Sequence, residues 1–153
     1  MSVKSHHHAL EWLRAADVRP TRQRQVLAEL LVADGQNRHV TAEYLYKAVR
    51  TTDAAVSLAT IYNTLRLFCQ AGLIREIIVD GGRSYFDTRT DDHPHFYWED
   101  TGQLTDAPKT ALKIENLPHP PAGAEIANID VLIRVRKSPN TKTTDPVPSV
   151  PDP

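Results

Sequence analysis

The spacing of apolar residues first changes at Gly72, and that change limits the folds open to the chain. Before Gly72 apolar positions recur every three or four residues, as on a helix; directly after it they recur every second residue, as on a strand. Four helical patterns come first. One runs roughly from Ala9 to Ala16 with Leu10, Trp12 and Leu13, and Arg19-Pro20-Thr21 breaks it. Thr21 suits the N-cap of a second, which places Val26, Leu27, Leu30 and Leu31 on one face and ends at Asp34-Gly35. Thr41 starts a third, with Glu43 in its first turn and Leu45, Ala48 and Val49 on its buried side. Ser57 caps a fourth, whose apolar face is Leu58, Ile61, Leu65, Phe68 and Cys69, with Gly72 at the C-terminal cap. Leu73 to Val79 and Arg83 to Asp87 then read as strands joined through Asp80-Gly81-Gly82, a hairpin signal. Helices followed by a hairpin predict a winged helix-turn-helix.

The remainder predicts a different, smaller unit. His95 to Glu99 and Gln103 to Thr105 read as short strands, and Thr110 to Asn116 as a small helix. From Ile129 to Arg136, Ile129, Val131, Ile133 and Val135 alternate with Asp130, Leu132, Arg134 and Arg136, predicting a strand whose apolar face needs a partner, such as a second copy of the chain. The fold class predicted is α+β, with a winged-helix DNA-binding domain at 9–88 and a small α/β dimerisation domain at 89–137. Residues 1–8 are expected to be flexible, and His6, His7 and His8 there to form no defined site. Nine of the eleven prolines follow residue 100, and 138–153 has only Val147 and Val150 to bury, so a disordered tail is expected there.

Charge and composition narrow the functional classes. Residues 1–90 carry 12 Lys/Arg against 9 Asp/Glu, and 91–153 carry 6 against 10, the asymmetry of a nucleic-acid reader joined to a separate regulatory part. No apolar run approaches the ~20 residues of a membrane span. No secretory signal pattern is visible, so a cytoplasmic protein is expected. A single cysteine excludes an intramolecular disulfide and any multi-cysteine metal knot. Cys69 lies on an apolar helix face, which favours a core residue over a redox sensor or haem thiolate.

The exposed side of the fourth helix presents Ala59, Thr60, Asn63, Arg66 and Gln70, with Ser57 at its start and Tyr62 at its flank. Small, hydroxyl and amide side chains of this kind meet base edges in the major groove. Arg19, Arg22 and Arg24, Lys47 and Arg50, and Arg83 on the wing surround it as candidate phosphate contacts. A second constellation is His93-Pro94-His95: on an extended chain, residues two apart point the same way, about 6.5 Å apart along the backbone. Asp87, Asp106 and His39 could complete an all-nitrogen-and-oxygen set suited to Fe(II), Mn(II), Co(II) or Zn(II). Beyond these ligands there is no nucleophile, glycine-rich phosphate loop or acid–base pair, so no enzyme is expected.

The runs Leu-Arg-Ala-Ala-Asp-Val-Arg-Pro-Thr-Arg-Gln-Arg (13–24), His-Val-Thr-Ala-Glu-Tyr-Leu-Tyr (39–46), Ser-Leu-Ala-Thr-Ile-Tyr-Asn-Thr-Leu (57–65), Ala-Gly-Leu-Ile-Arg (71–75) and Gly-Gly-Arg-Ser-Tyr-Phe-Asp (81–87) follow in order. That succession resembles the ferric uptake regulator family of bacterial metal-responsive repressors over roughly residues 9–137. The 56–65 block, the His-x-His before aromatics and Ile-Asp-Val-Leu-Ile-Arg-Val-Arg (129–136) look most like its iron response regulator branch.

The resemblance implies a homodimer on a pseudo-palindromic operator in double-stranded DNA, with one divalent metal per subunit (Fe(II), Mn(II) or Zn(II)). The metal falls on His39, Asp87, His93, His95 and Asp106, between the two domains. The reading helix falls on Ser57 to Ala71, with Tyr62 the DNA-contacting tyrosine; Asn63 stands where many relatives carry arginine. The branch also implies haem as a possible signal, with His93 and His95 as candidate ligands. A peroxide-sensing regulator, in which bound Fe(II) oxidises a ligand histidine, has a similar ligand set, and metal-independent DNA binding is the remaining alternative. Where most relatives hold a structural zinc with Cys-x-x-Cys, this chain has Trp98 and Thr101, so no four-cysteine structural zinc is expected. Asp92 and Pro94 stand in place of a second metal site, and His119, in a Pro-rich loop, is expected to be exposed.

Overall fold

A computed structural model describes residues 3–139, which divide into two compact units meeting between Asp91 and Asp92. The expected boundary stood three residues earlier. The expected tail at 138–153 lies almost wholly outside the described residues.

The first unit holds helices α1 (Val3–Ala15), α2 (Arg22–Val32), α3 (Ala42–Val49) and α4 (Leu58–Gln70), with strands β1 (His39–Val40), β2 (Arg75–Asp80) and β3 (Arg83–Asp87). Helix α1 begins at Val3, so the flexible start expected for 1–8 gives way to ordered helix from that residue on. His6 Nδ1 contacts Glu29 of α2, which accounts for the early start. Its other end closes tightly: Val18 N–H reaches the carbonyl of Leu13 at 3.0 Å, and Asp17 takes a left-handed φ of 60°. That is the Schellman closure, with aspartate where glycine is commoner. Gly72, at φ 74°, closes α4 the same way, with Leu73 N–H on the Phe68 carbonyl at 2.9 Å.

Each remaining helix starts at the cap its sequence announces. Thr21 Oγ1 accepts from Arg24 N–H at 3.3 Å, Thr41 Oγ1 from Tyr44 N–H at 3.1 Å and Ser57 Oγ from Thr60 N–H at 3.1 Å. The helices bury Leu13, Leu27, Leu31, Leu45, Val49, Ile61, Leu65 and Phe68 in one core, with the Trp12 ring edge-on to Phe68 at 5.4 Å. Each such side chain contributes about 1.5–3 kcal/mol by leaving water. Two faces are rotated from expectation. Helix α2 buries Ala28 and Val32 instead of Val26 and Leu30, and α4 buries Thr64, whose hydroxyl donates to the Thr60 carbonyl at 2.8 Å. Leu58, Cys69 and Ala48 are only half-buried.

The three strands form one antiparallel sheet in the order β1-β3-β2. Asp80 pairs with Arg83 across Gly81 and Gly82, both at positive φ, as a two-residue hairpin turn of this kind requires. β2 starts at Arg75, two residues later than read.

The second unit is a sheet of β4 (His95–Trp98), β5 (Gln103–Asp106) and β6 (Leu132–Val135) in the order β5-β4-β6. β5 is antiparallel to β4 and β6 parallel to it. Parallel neighbours need a long connection, and residues 107–131 provide it, almost without regular structure. The helix expected at Thr110–Asn116 reduces to one 3-10 turn, Lys109–Ala111, because Pro108 precedes it and Asn116 turns to φ 57°. The strand expected from Ile129 to Arg136 keeps only Leu132–Val135, the four residues for which β4 has partners. At the β4–β5 turn, Trp98 Nε1 donates to Thr105 Oγ1 at 3.0 Å and Thr101 Oγ1 accepts from Gln103 N–H at 3.3 Å. His119 is exposed.

Candidate metal centre and nucleic-acid face

In the first unit, His39 opens β1 and is registered directly opposite Asp87, the last residue of β3. The pairing sets His39 Nε2 at 3.1 Å from Asp87 Oδ2, and Asp87 is fully buried. The backbone holds both ends of this contact. Thr88 N–H donates to the Arg38 carbonyl at 3.1 Å, and Arg38 N–H to Thr88 Oγ1 at 2.9 Å. The second oxygen of Asp87 accepts from Arg89 N–H at 2.8 Å, which fixes the plane of the carboxylate. A buried carboxylate is costly unless paired or bound to a cation, and here an imidazole faces it.

The second unit repeats the chemistry on another frame. His95 opens β4 opposite Asp106, the last residue of β5. His93 precedes it across Pro94, whose fixed φ keeps the segment extended. The two imidazoles face the same way, with ring centroids 4.4 Å apart. Asp106 Oδ1 lies 2.9 Å from His93 Nε2 and 3.5 Å from His95 Nε2. His95 N–H is held by the Val131 carbonyl at 3.1 Å and Ala107 N–H by the Pro94 carbonyl at 2.9 Å, so sheet bonds fix both sides. Nε2 atoms directed at a carboxylate oxygen are the donor set a first-row divalent ion takes, with no thiolate to favour a softer one. The residues fit such an ion. His39, Asp87, His93, His95 and Asp106 are thus distributed as one imidazole–carboxylate pair in the first unit and two imidazoles with a carboxylate in the second. Periodicity gave no hint of β1, so the register that seats His39 against Asp87 was invisible in the sequence.

On the outer side of the first unit, Arg24, Thr60, Asn63 and Arg66 line one polar groove between the start of α2 and α4, with Gln23 and Gln70. Arg24 Nη1 donates to the Arg19 carbonyl at 2.9 Å. Arg19, Arg22 and Arg83 are exposed, the last at the hairpin turn. Ser57 Oγ and Thr60 Oγ1 bond each other at 2.9 Å at the exposed start of α4. Tyr62 is exposed on the other flank of α4, where its hydroxyl donates to Glu43 Oε1 of α3 at 2.6 Å. That bond holds its phenol pKa above the ordinary value, with partial burial and the Glu43 charge adding to it. Glu43 had registered in the sequence only as a first-turn acid. Burial, with the Glu76 carboxylate adding to it, pushes the Cys69 thiol up to about 11, which suits a core cysteine and not a reactive one.

Residues 15–133 match the ferric uptake regulator family. The chain belongs to that family. Its members are dimeric, metal-binding transcriptional regulators rather than enzymes. Within the ferric uptake regulator family, the peroxide operon regulator of Bacillus subtilis is 38% identical over 106 residues, covering 69% of this chain and 72% of that protein. The peroxide-responsive repressor PerR of Staphylococcus aureus is 36% identical over 110 residues, covering 69% and 73%. The ferric uptake regulator of Pseudomonas aeruginosa, solved with manganese, superposes with a TM-score of 0.61 at 28% identity, over 89% of this chain and 98% of that one. The ferric uptake regulator of Vibrio cholerae shares the fold, with a TM-score of 0.62 at 22% identity over 83% and 98%. Among the described residues no helix is long and apolar enough to cross a membrane.

Proposed function

We propose that this chain is a dimeric transcriptional regulator of iron homeostasis that binds a pseudo-palindromic operator and responds to one divalent ion per subunit. The observation that carries the reading is the paired presentation of imidazole Nε2 and carboxylate oxygen in both units, at His39–Asp87 and at His93–His95–Asp106. These five residues would together hold the ion. When bound, the ion supplies positive charge that neutralises two carboxylates and links donors from the winged-helix unit to donors from the dimerisation unit. Each side chain has a defined part. The imidazoles must be neutral to offer Nε2, so protons compete with the ion. Asp87, fixed by Arg89 N–H, and Asp106, fixed at the end of β5, carry the charge that attracts it. Occupancy would then favour one arrangement of the two units and so one spacing of the α4 helices in the dimer.

In this reading α4 enters the major groove with Ser57, Thr60, Tyr62, Asn63 and Arg66, while Arg19, Arg22, Arg24 and Arg83 meet phosphates. Support comes from the groove that gathers Arg24, Thr60, Asn63 and Arg66. A second reading, control by peroxide, is favoured by the names of the two relatives at 36–38% identity. Haem at His93 or His95 rests on the likeness of 56–65 and 129–136 to the iron response regulator branch.

Titrating the full chain against a labelled palindromic iron-box duplex separates these readings. Mn(II) should tighten binding, by ~10-fold or more if the coupling has the usual size for a two-state switch. Release by haem supports iron-linked control; release by Fe(II) with peroxide, but not by Mn(II) with peroxide, supports the second reading. An affinity indifferent to all of these ligands would make the five residues structural and end the sensor reading.

A further inference from the structure

Tyr62 stands on the exposed flank of α4 with 41% of its surface open, yet its hydroxyl is already engaged. Its Oη lies 2.6 Å from Glu43 Oε1, across from the first turn of α3. A phenol has one proton to give and lone pairs to accept with, whereas a carboxylate only accepts. The direction of this bond is therefore fixed, and the tyrosine proton points at Glu43. Charge assistance makes such a bond short and strong. What remains to an incoming partner is an oxygen acceptor.

The other polar groups along the exposed part of α4 lack that constraint or have the opposite one. The Ser57 and Thr60 hydroxyls bond each other, and either can be the donor. Asn63 offers both an acceptor and a donor, and Arg66 can only donate. In the major groove each base pair places one amino donor, on adenine N6 or cytosine N4, opposite a keto acceptor, on thymine O4 or guanine O6. An acceptor fixed in space tells the two strands of a pair apart.

We propose that Glu43 is a positioning residue for DNA recognition: by holding the Tyr62 proton, it leaves Tyr62 as a pure acceptor that selects an amino base, adenine or cytosine, over a keto base on the strand it faces. This rests on the reading that α4 faces DNA. Two plainer roles make different predictions. If the bond only ties α3 to α4, removing it changes stability but not base choice. If Glu43 acts only through its charge, removing it raises affinity for every sequence alike, because a carboxylate repels phosphates.

The test uses the full chain loaded with Mn(II), selected on a randomised duplex library and then titrated on fragments with an amino-to-keto swap at the selected position. The wild type should discriminate roughly five- to ten-fold, the low end for a single base-edge hydrogen bond. Y62F should lose that discrimination. E43A frees the phenol to donate, and should lose or reverse the preference. E43Q keeps an acceptor oxygen for the phenol and should retain the preference, while sharing with E43A any uniform gain from the lost charge. Discrimination by E43A equal to wild type, with Y62F indifferent, overturns the proposal, as does loss by E43Q as complete as by E43A. If Y62F and R66A both bind every fragment as the wild type does, α4 does not face DNA, and the recognition reading falls together with this one.

Discussion

Asp106 illustrates what the residue scale adds to a sequence. The His-x-His pair is visible as soon as the chain is read, but the carboxylate opposite it depends on the β4–β5 register, which sets Asp106 against His95. One oxygen then faces two imidazoles at 2.9 and 3.5 Å. Exchanging both, H93A with H95A, should abolish the effect of Mn(II) on DNA affinity while the circular dichroism spectrum stays that of the wild type. A variant that still responds to Mn(II) would remove these residues from the site. Cys69 gives a second prediction. Its thiol, raised by burial from an ordinary 9.0 to about 11, stays neutral across the physiological range. Native protein should therefore resist iodoacetamide at pH 8 and react fully only when unfolded. Because the folded thiol ionises later than the unfolded one, its contribution to stability is complete below about pH 9 and declines as pH rises through about 11. Rapid native alkylation at pH 8 would contradict this burial.

At the scale of elements, caps were the most legible signals. Thr21, Thr41 and Ser57 each announce a helix start and each accept from the backbone amide three residues on. Ser57→Ala should cost about 1 kcal/mol, read as a lower melting temperature. It would also free Thr60 Oγ1 from its partner at 2.9 Å. No change in melting temperature would mean that Ser57 contributes nothing to α4. Elements whose limits depend on partners were less legible. Alternation carried the expected last strand from Ile129 to Arg136, yet β6 extends only as far as β4 has residues to pair with. The segment 110–116 was expected to be a small helix, but Pro108 and the turn at Asn116 leave a single 3-10 turn. β1 is two residues long, too short for any period to show, and it seats a candidate ligand.

At the scale of the whole molecule, the helix–hairpin order and the fall in net charge beyond residue 90 pointed to a first unit ending near residue 88, and the two compact units divide between Asp91 and Asp92. The excess of basic residues falls in the unit that carries α4 and the hairpin. If Arg22 and Arg24 neutralise phosphates, R22A and R24A should each reduce the slope of log K against log salt by about 1. An unchanged slope in both would place DNA elsewhere on the surface.

Sensing, as proposed, requires that donors from both units serve one ion. Calorimetric titration of the apo protein with Mn(II) tests this most directly, comparing the wild type with H39A/D87A and with H93A/H95A. The expected result is one ion per chain in the wild type and a loss of most of the affinity in either variant. Two ions per chain, with each variant losing one and keeping the other, would show two separate sites and contradict it.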